Sequence, residues 1–176
     1  MAKISIIYQG KYGTTRQYAE WIAEDTGASL FETKRVKLKD IIDSDVVVFG
    51  GGLYATGIMG IKFLERHYSS LKGKRIIVFS VGASAGTEKD RATVQAVNLC
   101  PEMWERVKYF HLRGALNYPA MNAWDKFLMG LLITTLKIKP EGKRDEETRA
   151  MIATYGKNTS FMDRRSLEPL LAAIKG

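Results

Sequence analysis

Short apolar runs alternate with amphipathic stretches along the chain. Lys3–Tyr8 (K-I-S-I-I-Y) is a β-branched run that predicts a strand, and a polar, glycine-bearing turn, Gln9–Thr15, follows it. Across Thr15–Thr26 the residues Tyr18, Ala19, Ile22 and Ala23 share one helical face, and Gly27 supplies the stop. Ser29–Thr33 predicts a second strand. Val46–Phe49 is apolar throughout between Asp45 and Gly50, as in a strand buried on both faces. After a glycine-rich turn over Gly50–Gly60, Ile61, Leu64, Tyr68 and Leu71 recur at helical spacing. Arg75–Val81 then predicts a buried strand, Gly82–Thr87 a turn, Glu88–Asn98 a helix, Tyr109–Leu116 a fifth strand and Arg165–Lys175 the last helix.

Strands alternating with helices predict an α/β fold, a doubly wound five-stranded parallel sheet with helices on both faces. Right-handed crossovers bring the strand-to-helix loops to the carboxyl edge of the sheet, where ligands bind in such folds. The loops to watch are therefore Gln9–Thr15, Gly50–Gly60 and Gly82–Glu88. The chain reads as a single domain over residues 1–176, with no repeat or linker. Nearly fifty residues separate Leu116 from the last helix, however, too many for a plain loop. Within this insertion, about residues 117–160, Trp124, Phe127, Leu128, Leu131, Leu132 and Ile138 fall at spacings of three, four and seven, and Lys126, Lys137, Lys139, Lys143 and Arg144 flank them. That predicts an amphipathic helix, docked on the domain's own core or free to meet a membrane, an apolar substrate or a partner.

Composition narrows the function. A chain of 176 residues, 45% hydrophobic and 26% charged, is ordinary for a globular domain. Its one cysteine, Cys100, excludes an internal disulfide, and no metal-ligand set is readable. The first apolar run ends at Tyr8, short for a signal peptide, and no run reaches transmembrane length, so a cytoplasmic protein is expected. The net charge of +8 favours anionic partners, but no nucleic-acid motif accompanies it and no nucleic acid is expected.

The loop Tyr8-Gln9-Gly10-Lys11-Tyr12-Gly13-Thr14-Thr15 has two readings. Gly10 and Gly13 allow close backbone approach, and the first amides of the next helix, with the hydroxyls of Thr14 and Thr15, could hold a phosphate. It equally suits an ordinary strand–turn–helix with threonine as N-cap. It has neither the triphosphatase P-loop pattern nor the dinucleotide glycine pattern, which favours a mononucleotide. In the second loop Tyr54 offers a stacking surface for a flavin ring, and in the third, Gly82-Ala83-Ser84, small residues let amides reach its edge. A core-packed tyrosine and a plain turn are the alternatives. His67 reads as solvated and His111 as a structural histidine on a buried strand; no catalytic side chain is assigned.

These segments together resemble the flavodoxin-like family: Y-Q-G-K-Y-G-T-T its phosphate loop, D-V-V-V-F-G-G-G-L-Y-A its third strand and flavin-flanking loop, and F-S-V-G its fourth strand. Gly114–Pro119 (G-A-L-N-Y-P) and Trp124–Leu132 (W-D-K-F-L-M-G-L-L) resemble the flavodoxin-like, quinone-linked protoporphyrinogen dehydrogenases within it. The resemblance implies noncovalent FMN, with Gln9, Lys11, Tyr12, Gly13, Thr14 and Thr15 around the phosphate. It places Leu53 and Tyr54 beside the ring and Gly82, Ala83 and Ser84 near its edge. The chain departs from the family at Gln9 and Gly10, where serine or threonine is usual, and at Gly86–Lys89, which lacks the acidic and aromatic residues of classical electron carriers.

The implied activity is dehydrogenation of a substrate, protoporphyrinogen IX by resemblance, with electrons passed to a redox partner or quinone. The alternatives are a non-catalytic electron-transfer flavodoxin and a binding module without flavin. A basic chain fits poorly with the acidic electron carriers, and its field should stabilise a reduced, anionic flavin. Trp124–Ile138 is the candidate for peripheral contact with the inner face of the cell membrane.

Overall fold

The apolar runs of the central strands pair side by side because they are too hydrophobic to leave either face in water. In the computed structural model, which describes residues 2–176, β1 (Ile4–Gln9), β2 (Ser29–Glu32), β3 (Val46–Tyr54), β4 (Arg75–Gly82) and β5 (Val107–Arg113) form a parallel sheet in the order β2-β1-β3-β4-β5. The order reverses between β1 and β3, so the loops leaving them diverge to opposite faces and open a crevice. One register row at that carboxyl edge runs Gln9, Gly51, Ser80, His111 across four strands.

The connecting helices are α1 (Thr14–Thr26), a short α2 (Leu38–Ile41), α3 (Ile61–Leu71), α4 (Glu88–Asn98) and a single turn, α5 (Pro101–Trp104). Each helix start has a local cause. Thr87 and Asp90 form a capping box before α4, and Pro101 opens α5. Gly27 closes α1 in the left-handed conformation that a β-carbon would disfavour, donating its amide to the Ala23 carbonyl. Two cores result. On one face Ile6, Val48, Ile77 and Phe79 pack against α1 and the final helix α8 (Glu168–Lys175). On the other, Ile7, Val47, Phe49 and Val78 meet α3, α4 and Met103.

Two predicted elements differ. The run Gly50–Tyr54 is strand, not turn: β3 continues to Tyr54, and the two-residue strand Gly57–Ile58 folds back on it. The glycines there serve close approach, since a β-carbon on Gly50 would lie 2.1 Å from the Phe79 ring and one on Gly51 2.2 Å from the Ile58 side chain. The fifth strand ends at Arg113 rather than Leu116. Gly114 breaks the run because a β-carbon there would lie 2.8 Å from the Val81 side chain, and Ala115–Asn117 becomes β6 of a separate ladder.

β6 pairs antiparallel with β7 (Asn158–Ser160), so the two strands clamp the insertion at its base. Between them lie α6 (Ala123–Ile138) and α7 (Glu146–Thr154), packed on each other. Sequence periodicity found α6 but neither α7 nor β7. The Tyr118 and Tyr155 hydroxyls, 3.1 Å apart, and the Arg113 guanidinium over the Phe161 ring reinforce the clamp. No helix among the described residues is long and apolar enough to cross a membrane.

Candidate functional site

The carboxyl edge of the sheet carries a cavity of about 390 Å³, formed where the loops after β1, β3 and β4 meet the insertion. Lys11, Tyr12, Thr14 and Thr15 line it from the first loop, Leu53 and Tyr54 from the end of β3, and Gly82 and Ala83 from the end of β4. Three residues named from the sequence do not line it. Gln9 turns its amide toward Gly60, where a β-carbon would come within 2.4 Å of Oε1. Gly13 is the N-cap of α1, at φ 87°, and Ser84 lines a neighbouring cavity.

The start of α1 is open to an anion. No side chain caps it, and no acidic residue stands in its first turn, so the amides of that turn and the helix dipole face the loop unopposed. Thr15 is buried beneath the loop, with its hydroxyl near Gly10 and Gly52, where added β-carbons would lie 2.8 and 3.4 Å away. Such a cradle follows from local sequence: a glycine N-cap leaves room and threonines supply hydroxyls.

The residue that sequence reading missed is Asp125. It sits in the first turn of α6, where Asn122 caps the helix, and is 5% exposed. Its carboxylate accepts from Lys11 Nζ at 2.5 Å, from the Tyr54 hydroxyl at 3.0 Å and from the Tyr12 hydroxyl. The Lys11 ammonium also lies 5.5 and 5.8 Å from the Tyr12 and Tyr54 ring centroids. One carboxylate thus gathers three side chains that line the cavity.

Burial alone would push the Asp125 carboxyl up, but the hydrogen bonds from Lys11, Tyr12 and Tyr54 outweigh it and hold it below its ordinary value. The Lys11 ammonium is raised by its hydrogen bond to Asp125. Both phenols are raised by burial and then by the neighbouring carboxylate. Near neutral pH the cluster is an anion, a cation and two neutral donors.

α6 is apolar on two sides. Leu128, Met129 and Leu132 roof the cavity, while Trp124, Phe127, Leu131 and Ile138 face outward and are exposed. A second cavity, of about 530 Å³, adjoins the first and shares Leu53, Ala55 and Leu132 with it. Its walls come from α4, β5 and the insertion, with Tyr109, His111, Ser84 and Arg91 among them. His67 is not solvated: it is half-buried, stacks on Phe63 with centroids 4.6 Å apart, and its Nδ1 has no partner. Cys100 is the exposed N-cap of α5.

The family model described as a flavodoxin domain matches residues 5–142, well over half of the chain. The chain belongs to the flavodoxin-domain family. A WrbA-like flavodoxin from Agrobacterium tumefaciens superposes with a TM-score of 0.51 at 17% identity, covering 71% of this chain and 88% of that one. The Trp repressor binding protein from Bacillus subtilis gives 0.49 at 19% identity, covering 64% and 85%. The first of these likenesses supports the fold. A comparison with curated proteins found no match.

Membership of the flavodoxin-domain family implies a flavin cofactor, and the residues present fit one. The uncapped amides of α1 suit an anionic tail. Leu53 and Tyr54, with small Gly82 and Ala83 beside them, give the cavity a wall on which a flat ring could lie.

Proposed function

We propose that this flavodoxin-domain protein is an FMN-dependent oxidoreductase that dehydrogenates a substrate and passes the electrons to an acceptor such as a quinone. Bound FMN would supply the redox chemistry, taking up an electron pair from the substrate and yielding it to the acceptor. Lys11, Tyr12, Gly13, Thr14 and Thr15 would surround its phosphate, chiefly through the first amides of α1. Leu53 and Tyr54 would flank the ring. Asp125 orients Lys11 and Tyr54 toward that site, and the apolar underside of α6 excludes water from it.

The observation that carries an enzyme over an electron carrier is the second cavity. A carrier needs only an accessible ring edge, whereas here the insertion borders a cavity of about 530 Å³ beside the proposed flavin site. Protoporphyrinogen IX is the proposed substrate, supported by the resemblance of Gly114–Pro119 and Trp124–Leu132 to the flavodoxin-like protoporphyrinogen dehydrogenases. The outward face of α6, flanked by lysines, is proposed as a peripheral contact with an anionic membrane surface.

The deciding experiment loads the protein with FMN, verifies the flavin absorbance bands, and adds protoporphyrinogen IX and other donors without oxygen. Bleaching followed by recovery on adding a quinone supports the proposal. A flavin that no donor bleaches, yet that exchanges electrons with a partner protein, favours the carrier instead.

A further inference from the structure

Three side chains at the carboxyl edge of the sheet form a hydrogen-bonded chain with a fixed direction. Ser80 and His111 are register partners on β4 and β5, and Tyr109, two residues earlier, points to the same face. The Ser80 hydroxyl is fully buried, 2.7 Å from the Tyr109 hydroxyl and 2.8 Å from His111 Nδ1. His111 Nε2 lies 2.9 Å from the Ser84 carbonyl. A carbonyl only accepts, so Nε2 carries hydrogen; in the neutral ring Nδ1 must then accept, and Ser80 must donate to it. The single proton of Ser80 is thereby committed, so Tyr109 donates to Ser80. The Tyr109 and Ser80 donors both point toward His111, and Tyr109, which keeps an acceptor lone pair, lines the second cavity.

We propose that Tyr109 is a catalytic residue of that cavity, taking a proton from the bound donor and later returning it to the acceptor, with Ser80 and His111 as the positioning residues that carry and store it. This rests on the flavin reading above. In the first half-reaction a donor bearing an O–H or N–H beside the carbon to be oxidised would give up an electron pair and one hydrogen, for which bound FMN would be the acceptor. The donor's second hydrogen leaves as a proton to Tyr109, whose own proton passes to Ser80, and that of Ser80 to His111 Nδ1. In the second, a quinone would receive the electron pair and hydrogen that reduced FMN would supply, and the proton back along the chain. It leaves as the hydroquinone, and His111 returns to neutral.

The surroundings keep the relay's outer member neutral. Burial raises the Tyr109 phenol, and the Ser80 hydroxyl and the charge of Arg91 on α4 offset it only in part. Asp90 on the same helix, held by its cap bonds to Thr87, is a carboxylate whose charge reaches His111. From the insertion, Lys139 and Asp145 complete the titratable groups of the cavity, and Asp145 is engaged in capping α7 through Thr148. Leu132 and Met151 keep the opposite wall apolar.

The test has two arms. Nitrogen-15 NMR of His67→Gln protein, in which His111 is the sole histidine, should show Nε2 protonated and Nδ1 accepting, with Ser80→Ala removing the hydrogen bond to Nδ1 while Nε2 stays protonated. FMN-loaded, photoreduced protein is then reoxidised either by menadione, which needs a proton, or by ferricyanide, which does not. Tyr109→Phe should slow the menadione reaction roughly 100-fold and remove its solvent isotope effect, while the ferricyanide rate stays unchanged. Ser80→Ala should slow the menadione reaction likewise. Protonation at Nδ1 alone, a menadione rate unaffected by Tyr109→Phe, equal losses with both oxidants, or no menadione reaction in the parent would each overturn the proposal. Failure to take up FMN overturns the flavin reading, and the transfer with it, and shows as missing absorbance bands before any oxidant is added.

Discussion

Lys11 and Asp125 lie 114 positions apart in the chain and 2.5 Å apart in the fold. The ion pair joins the first loop of the sheet to the first turn of the insertion, with Tyr12 and Tyr54 bonded to the same carboxylate. The insertion is therefore fastened twice: at its base by β6 and β7, and over the cavity by Asp125. Removing the second fastening leaves the first intact. Asp125→Asn should keep the fold but loosen α6, raising the rate of limited proteolysis within the insertion roughly three- to tenfold. Unchanged cleavage would show that the base clamp alone holds the roof.

The same cluster sets a pH window for roof closure. The Asp125 carboxyl is held below its ordinary value of 3.8, so its stabilisation is present above 3.8 and is lost as pH falls through the lower, folded-state value. Lys11 is raised above 10.5, so its contribution is complete below 10.5 and is lost as pH rises beyond it. Proteolytic protection of the insertion should be flat between about pH 5 and pH 9 and fall off on both sides. In Asp125→Asn the acid limb should disappear. An unaltered acid limb would assign it to other carboxylates.

How much of this was legible beforehand depends on how local each cause is. α4 was readable because Thr87, Glu88 and Asp90 write its start into four consecutive residues, and β1 and β4 because their apolar runs are bounded by polar or glycine residues. The run Gly50–Gly52 misled because glycine signals both a turn and a close approach, and only the Phe79 ring, brought alongside by strand pairing, distinguishes them. The extension of the fifth strand to Leu116 failed for a similar reason: the approach of Val81 to Gly114 is a tertiary fact. Asp125 stood within the W-D-K-F stretch, yet an aspartate in a first turn reads as ordinary helix chemistry. Its burial under two tyrosines and a lysine depends on contacts more than seventy positions away.

Gly50 provides a test of the packing argument that is independent of the flavin. A β-carbon there would strike the ring of fully buried Phe79, which has nowhere to retreat within the core formed with α1 and α8. Gly50→Ala should cost about 1–3 kcal/mol, measured by urea unfolding. Gly57→Ala, where an added β-carbon would meet only the Tyr54 carbonyl at an ordinary 3.5 Å, should cost less. Equal losses at the two positions would mean that the strand glycines are needed for backbone reasons and not for the approach of the ring.

The two faces of α6 predict separable functions. Leu128 and Met129 turn toward the cavity, whereas Phe127 and Leu131 are 61% and 56% exposed, and Trp124 stacks on Phe127 with centroids 5.6 Å apart. An outward apolar stripe followed along the chain by Lys137 and Lys143, on a chain of net charge +8, matches the interface of an anionic bilayer in both hydrophobicity and charge. The double variant Phe127→Glu, Leu131→Glu should lower sedimentation with phosphatidylserine-containing vesicles at least tenfold, because it removes apolar contact and adds like charge to the lipid. Raising the salt should weaken binding of the parent, as screening of the lysines requires. Flavin absorbance should be the same in parent and variant, since neither residue lines the cavity. Binding to neutral vesicles as strong as to anionic ones would remove the electrostatic half of the argument. Loss of flavin in the variant would show that the two faces are not independent.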